Sequence, residues 1–364
     1  MANFDGKLKS NEIFAALFNM IISQQVFADN IKDTKSTLVD MARVDGSLYG
    51  DTKLYYSTDV LRSYAWGADA EAENLLKLYR PKAPDCQAIR LDVFRQIPLT
   101  VDNYLSKRAW SDEGSFSSFN SVMLGWMRET KKVYDSTTYN AFIGTAVSPK
   151  ASENITIDVT TAVGSTTGEE KARIEAGVIG EGIANLIVNL EDISRDYNDY
   201  GNLRSYSADD LVFVWNSEAV SKIEKRDLPT IFHKEILDKF AQHTLPARYF
   251  GTVNATNKTG DGTTIRSLIE QDVKKASSPD VHVFAGDLIP TGYTADANTS
   301  YTVDKNILFK VYHVGPNSVP YMSAFEVGTS FFNPKSLTEN HYLTFGHNTL
   351  EYLKNYPFIT VKQA

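Results

Sequence analysis

The chain has 364 residues, 42% hydrophobic and 23% charged, proportions of an ordinary folded protein with room for two cores or one large discontinuous one. Its 45 acidic against 37 basic side chains give a net charge of −8, which argues against a protein whose main work is gripping a phosphate backbone. The single cysteine, Cys86, rules out an intrachain disulfide and a thiolate zinc site.

The opening text MANFDGKLKSNE has no apolar signal core, so a chain made and folded in the cytosol is expected. Ser10 or Asn11 can cap a helix in which Ile13, Leu17, Met20 and Ile21 recur at helical spacing, widened by Phe14, Phe18, Ile22 and Val26. The run Ile13 to Ile22 is too short to span a bilayer and contains Asn19. A helix so broadly apolar needs cover from elsewhere, another subunit included. A short helix over Ser36 to Arg43 ends near Asp45-Gly46.

Between Gly50 and Lys107 two strand-like runs stand out, one within Leu54 to Trp66 and one within Ala88 to Tyr104. Ile89, Leu91 and Val93 alternate with Arg90 and Asp92, the two-residue period of a strand with one dry face. A charged, Ala-rich stretch and the Pro81/Pro84 turn separate the runs. The pattern predicts a long two-stranded arm with a polar tip and little core of its own, stabilised by lying on something else.

Asp112 and Ser115 then open a helix of about thirty residues, carrying Phe116, Phe119, Val122, Met123, Trp126, Met127, Val133, Tyr134, Tyr139, Phe142 and Ile143, well beyond usual globular length. Gly144 and Pro149 are expected to end it. NITIDVTT, from Asn154 to Thr161, alternates like a short strand. A further helix carries Ile174, Val178, Ile183, Leu186, Ile187, Leu190 and Ile193, with Gly177, Gly180 and Gly182 marking a close neighbour. LVFVW (Leu211 to Trp215) has the composition of a buried strand, followed by a short helix over Glu218 to Lys225 and another over Pro229 to His243. Strands are expected in Arg248 to Val253, Ser278 to Ile289 and Asn306 to Val314, with polar loops at Asn254 to Thr264 and Thr291 to Ser300. The aromatic-rich end, from Tyr342 through Phe345 to the run Pro357 to Val361, is expected to be mainly strand. The order of elements places the chain in the α+β class.

Reactive constellations do not emerge. The six histidines form no HExxH pair, and there is no GxxxxGK[ST] loop and no GxSxG elbow. The glycines of Gly177-Val-Ile-Gly180-Glu-Gly182 lie inside an apolar-periodic helix, where packing explains them better than phosphate binding. No catalytic residue, metal ligand or cofactor is assigned, and an architectural protein rather than an enzyme is expected.

Taken in order, these elements resemble the shell fold of tailed-bacteriophage major capsid proteins: N-terminal arm, extended β loop, peripheral domain with a long spine helix, and axial domain. The parts would be 1–49 for the arm, 50–108 for the extended loop, 109–164 with 334–364 for the peripheral domain, and 165–333 for the axial domain. LVFVWNSEAVSKIEK (Leu211 to Lys225) is similar to that family's axial strand running into a short helix. ENHYLTFGHNTLEYLKNYPFITV (Glu339 to Val361) resembles the closing strands of small-podovirus and crAss-like capsid proteins.

The resemblance implies pentamers and hexamers of an icosahedral or prolate head enclosing double-stranded DNA contacted non-specifically. It implies assembly in the host cytoplasm, with a scaffolding protein and a portal as partners beside the chain itself, and no membrane. No charged, coiled-coil-like segment precedes the arm, which points to a separate scaffolding protein or none. The arm would cross a neighbouring subunit through Tyr55, Tyr56, Tyr64, Trp66 and Tyr79, because aromatics supply contact area at low entropy cost. Arg62, Arg80 and Arg90 would form ion pairs there. Packing within the subunit is the competing explanation for the aromatics, and a solvated surface for the arginines. Rival functions are an encapsulin-like nanocompartment shell, another virion structural protein, and an enzyme with a dispersed acid/base site.

Overall fold

The computed structural model describes residues 37–45, 52–64, 78–102, 113–224, 241–313, 315 and 318–364. The expected helix over Ile13 to Val26 therefore lies outside the described residues, as do Trp66 and most of the expected helix over Pro229 to His243.

A short helix, α1 (Thr37–Ala42), runs straight into β1 (Arg43–Asp45). The arm follows as β2 (Thr52–Ser57) and the 18-residue β3 (Asp85–Asp102), antiparallel, with Tyr56 opposite Cys86 and Thr52 opposite Arg90. Along β3, Gln87, Ile89 and Leu91 are buried while Cys86, Ala88, Arg90 and Asp92 are exposed, the alternation that the sequence spells out. The 33-residue α2 (Glu113–Thr145) comes next, then β4 (Asn154–Ile157), a turn of helix over Val159–Val163, and α3 (Gly168–Glu191). β5 (Leu211–Asn216), α4 (Ser217–Glu224) and β6 (Ala241–Leu245) lead to seven short strands between residues 251 and 303. The chain closes with β7 (Ile307–His313), β8 (Tyr321–Asn333), β9 (Thr338–Asn348) and β10 (Phe358–Gln363).

Two five-stranded sheets carry the body. The central one has the order β4-β10-β7-β5-β6. Every residue of β5 is buried because helices cover both faces of this sheet, which is why it reads as an unbroken apolar run. Phe213, Trp215, Phe309 and Val311 pack on one side with Ile183, Leu186, Ile187 and Leu190 of α3. Val212, Val214, Tyr312 and Phe358 pack on the other with Tyr139 and Ile143 of α2 and Leu38 and Val39 of α1. Lys310, fully buried in β7, donates from Nζ to the Ala146 carbonyl at 2.7 Å and to Thr360 Oγ1 at 2.8 Å. It thereby satisfies a carbonyl left over at the end of α2.

The second sheet has the order β1-β8-β9-β3-β2, and it corrects the expected two-stranded arm. Residues 91–102 of β3 pair antiparallel with β9, from Leu91 opposite Asn348 to Asp102 opposite Thr338, and β9 pairs in turn with β8. The arm's second strand is thus held along most of its length by its own polypeptide. The hairpin responsible turns over residues 334–337, where the expected division between axial and peripheral segments falls, and β10 lies within the central sheet. Strand β8 was not expected, since Gly328 and the polar residues around it break its apolar alternation.

Two smaller expectations are corrected. Residues 241–243 form the start of β6, paired in parallel with β5, rather than the end of a helix. Residues 247–249 form a 3-10 turn, leaving only Gly251–Val253 as strand. The long helix ends at Thr145, one residue after Gly144 and before Pro149, as expected. A Cβ at Gly144 would sit 2.2 Å from the Tyr249 carbonyl oxygen, so the glycine is a contact point between the helix and the 3-10 turn. Gly182 plays the expected packing role, since a Cβ would meet the Ile157 side chain at 2.7 Å, whereas Gly177 faces open space. Because the obstacle at Gly144 is backbone and cannot rotate away, Gly144→Ala is expected to destabilise the fold by about 1–3 kcal/mol. Urea unfolding checks it, and an unchanged midpoint would refute the contact.

Candidate intersubunit surface

At the root of the arm, main chain and short polar side chains tie it to two loops of the body. Arg195 Nη1 donates to Asp59 Oδ2 at 2.7 Å, and the Leu203 amide to Asp59 Oδ1 at 3.1 Å. The Arg195 guanidinium holds the Asp59 carboxyl down at about 2. Asn202 Nδ2 donates to Ser57 Oγ at 2.9 Å, and Arg204 Nη2 to the Thr58 carbonyl at 2.7 Å. On the β3 side, Gln87 Nε2 donates to the Tyr352 carbonyl at 3.1 Å and its Oε1 accepts from the Lys354 amide at 3.0 Å. These bonds fix the direction in which the arm leaves the body.

Beyond the root, apolar side chains face solvent. Tyr56 is 67% exposed, and Leu61 and Leu78 are each 77% exposed, with Leu54, Val60, Tyr64 and Tyr79 also open. A run of this density is unusual on the surface of a folded monomer. The rings of Tyr64 and Tyr79 lie 4.5 Å apart between centroids, which draws the two sides of the arm together. Tyr55 differs: half-buried, it packs with Ile89, Leu91, Met322 and Leu353 of the same chain, and burial raises its phenol pKa. Arg62, Arg80 and Arg90 are exposed, and among the described residues none makes an ion pair within the chain.

The structure therefore gathers Tyr56, Tyr64 and Tyr79 with the three arginines on the arm's free surfaces and withdraws Tyr55 into the body. Leu54, Val60, Leu61 and Leu78 were missed because their aliphatic character alone does not tell a strand's dry face from its wet one. A second apolar surface was missed entirely. Phe331, 64% exposed, lies near the tip of the β8/β9 hairpin with Val327, Phe332 and Leu337, all open. Its signal was the Phe331-Phe332 pair just before Pro334.

The sheet that carries both surfaces is braced by α2. Tyr134 packs edge-on against Phe345 and donates from Oη to His347 Nε2 at 2.8 Å, while His347 Nδ1 donates to the Asn348 carbonyl at 2.8 Å. Burial lowers the His347 pKa and so favours the neutral imidazole, whose unprotonated Nε2 accepts from the phenol. A histidine with a depressed folded-state pKa contributes stability that is complete above its unfolded pKa and is lost as pH falls below it. The urea midpoint of the wild type should therefore drop below about pH 6.5, with His347→Gln lacking this component. Identical pH profiles for the two would contradict the assignment.

Among the described residues no helix is long and apolar enough to cross a membrane, and no group of three or more His, Cys, Asp or Glu side chains is placed to hold a metal ion.

Comparison with known proteins brings these features together. The family model described as Phi29-like phage major capsid protein matches residues 6–361. A chain in the capsid structure of Staphylococcus phage Andhra is 13% identical, with a TM-score of 0.55 over 89% of this chain and 83% of that one. A chain in the structure of head fiber and inner core protein gp22 of native bacteriophage P68 is 12% identical, with a TM-score of 0.53 over 88% and 86%. At such identities the likeness is one of fold. No curated protein matches.

Proposed function

The chain belongs to the Phi29-like phage major capsid protein family, and from that premise we propose that its copies join as pentamers and hexamers into a closed head around double-stranded DNA. The observation that carries the mechanism is the arm, anchored at its root by bonds within the chain and apolar on its free surfaces. Such a surface gains by lying on a neighbouring copy, and point-group symmetry repeats each contact until the shell closes. Tyr56, Tyr64 and Tyr79 act as its anchors, with Arg62, Arg80 and Arg90 pairing with acidic groups of the neighbour.

In this reading the arm is the extended loop, 50–108. The peripheral domain comprises 109–164 with 334–364, and the axial domain 165–333. The protein works by contact and shape, without catalysis, and is assembled in the host cytoplasm with help from a scaffolding protein and a portal. Its net charge of −8 suits a wall that encloses nucleic acid without gripping it, because a strongly basic lining would hold the polymer. Electron microscopy of the chain expressed alone and together with a scaffolding protein tests the proposal. Rings or closed shells are expected in at least one preparation. Protein that stays monomeric in both would refute it.

A further inference from the structure

Behind the arm's root lies a carboxyl group that the shell mechanism does not use. Glu153 closes the 3-10 turn Ala151–Glu153 just before β4 and is fully buried. Neither of its carboxyl oxygens has a hydrogen-bond partner. The charged and titratable groups around it are Lys150 from its own turn, Asp199 and Tyr206 from the loops after α3, and Tyr352 from the segment before β10. Each of these is engaged elsewhere. Lys150 Nζ donates to the Arg195 carbonyl and, at 2.9 Å, to the Asn198 carbonyl. Asp199 accepts from Ser148 Oγ at 3.0 Å and from Tyr352 Oη at 2.7 Å. Tyr206 Oη donates to the Asn355 carbonyl at 3.1 Å. Burial outweighs the help that the Ser148 hydroxyl, the Lys150 ammonium and the Phe358 amide give the ionised form, and pushes the Glu153 carboxyl up to about 8.

Tyr352 lies close enough to Glu153 to feel its charge, and residues 352–355, the segment that begins with it, also hold the arm. The Asp199 amide donates to the Lys354 carbonyl at 2.8 Å. Gln87 bonds the main chain at Tyr352 and Lys354, and Ser57 Oγ donates to Asn355 Oδ1. We infer that Glu153 is a proton-operated latch: protonated, it lets residues 352–355 pack beside it and fix the arm's root, and loss of the proton favours an opened segment and a loosened arm. The closed form keeps the proton and the opened, hydrated form releases it. Opening therefore grows as pH rises from the ordinary carboxylate range toward the closed-state value, and levels off above it. The bearing of this latch on assembly rests on the reading of the arm as an intersubunit element, whereas the opening itself takes place within one chain.

The test is amide hydrogen exchange on the full-length, unassembled chain, with rates corrected for the intrinsic effect of pH. Arm-root amides in 53–57 and 87–90 should lose protection about tenfold per pH unit between about pH 5.5 and 7.5, then level off above about pH 8. Amides of β5 and β7 should show no such slope. Glu153→Gln, which mimics the protonated group, should be flat and at least as protected at about pH 8 as the wild type is at about pH 5.5. Flat protection in the wild type, or an equal slope in the variant, overturns the latch. If the variant does not fold, infrared spectroscopy of the wild type decides: the band of a buried protonated carboxyl must be present at neutral pH and disappear above about pH 8. Its absence at neutral pH also overturns the proposal. A chain with the expected slope that never forms shells would refute the assembly reading alone.

Discussion

Replacing Tyr56, Leu61, Tyr64 and Tyr79 together with serine is expected to leave a folded subunit that no longer closes shells. All four side chains are largely exposed, so within the chain they contribute little burial, and exposed substitutions usually change stability by less than about 0.5 kcal/mol each. The Tyr64–Tyr79 ring pair adds about 0.5–1.5 kcal/mol to the arm's local order. The body, whose cores lie in the two sheets, is untouched by its loss. At an interface the balance is different. Truncating an aromatic anchor in a well-packed contact costs about 2 kcal/mol or more, and a shell repeats that loss at every subunit. Circular dichroism should therefore match the wild type while electron microscopy shows isolated subunits or small rings in place of closed particles. Normal shells from the quadruple variant would show that the arm's apolar surface is not an assembly contact. Tyr55→Ser should behave in the opposite way, lowering stability before assembly, because that ring packs on Ile89, Leu91, Met322 and Leu353.

Removing the carboxylate at position 135 is expected to be the most damaging single change to the fold. Asp135 is 1% exposed on α2. It accepts from Tyr321 Oη at 2.6 Å, from Arg43 Nη2 at 3.3 Å and from Lys131 Nζ at 3.3 Å. One side chain thereby links the long helix to β1 and to the start of β8, and its negative charge offsets two nearby cations. Asp135→Ala takes one of two carboxylate partners from each of those cations and the acceptor from a phenol that is buried with it, and leaving buried groups unsatisfied costs about 1–3 kcal/mol, more where the group is charged. Asp135→Asn keeps the shape and one acceptor, so its loss should be smaller though still measurable. Urea titration with a far-ultraviolet signal separates the two variants. A midpoint for Asp135→Ala within error of wild type would mean that Lys131, also 3.2 Å from Glu326, and Arg43, which bonds Asp40 at 2.9 Å, need no help from Asp135.

Several features needed only local information. The period of Ile89, Leu91 and Val93 against Arg90 and Asp92 defined a one-faced strand, because side chains alternate across a pleated backbone whatever it pairs with. The stripe from Trp126 to Ile143 defined α2, because the helical repeat imposes its own spacing. LVFVW named a strand covered on both faces. Those elements in their order carried the resemblance to tailed-phage major capsid proteins, and it is that resemblance which implied a shell protein.

What pairs with what was decided by the folded chain. The long strand of the arm is joined to β9, some 240 residues away in sequence, and no local pattern encodes a partner at that separation, since any alternating strand can complement any other. Gly144 shows the same limit at one residue: its text suggests a helix end, and only the approach of the Tyr249 carbonyl reveals a contact that excludes a side chain. The burial of Glu153 and Lys310 was equally invisible, because a charged residue looks solvated until neighbours from distant segments close around it. Periodicity determined many of the elements, and their order carried the resemblance that implied the architectural role. Tertiary pairing alone decided which side chains those elements bury together and which the arm leaves open for a neighbour.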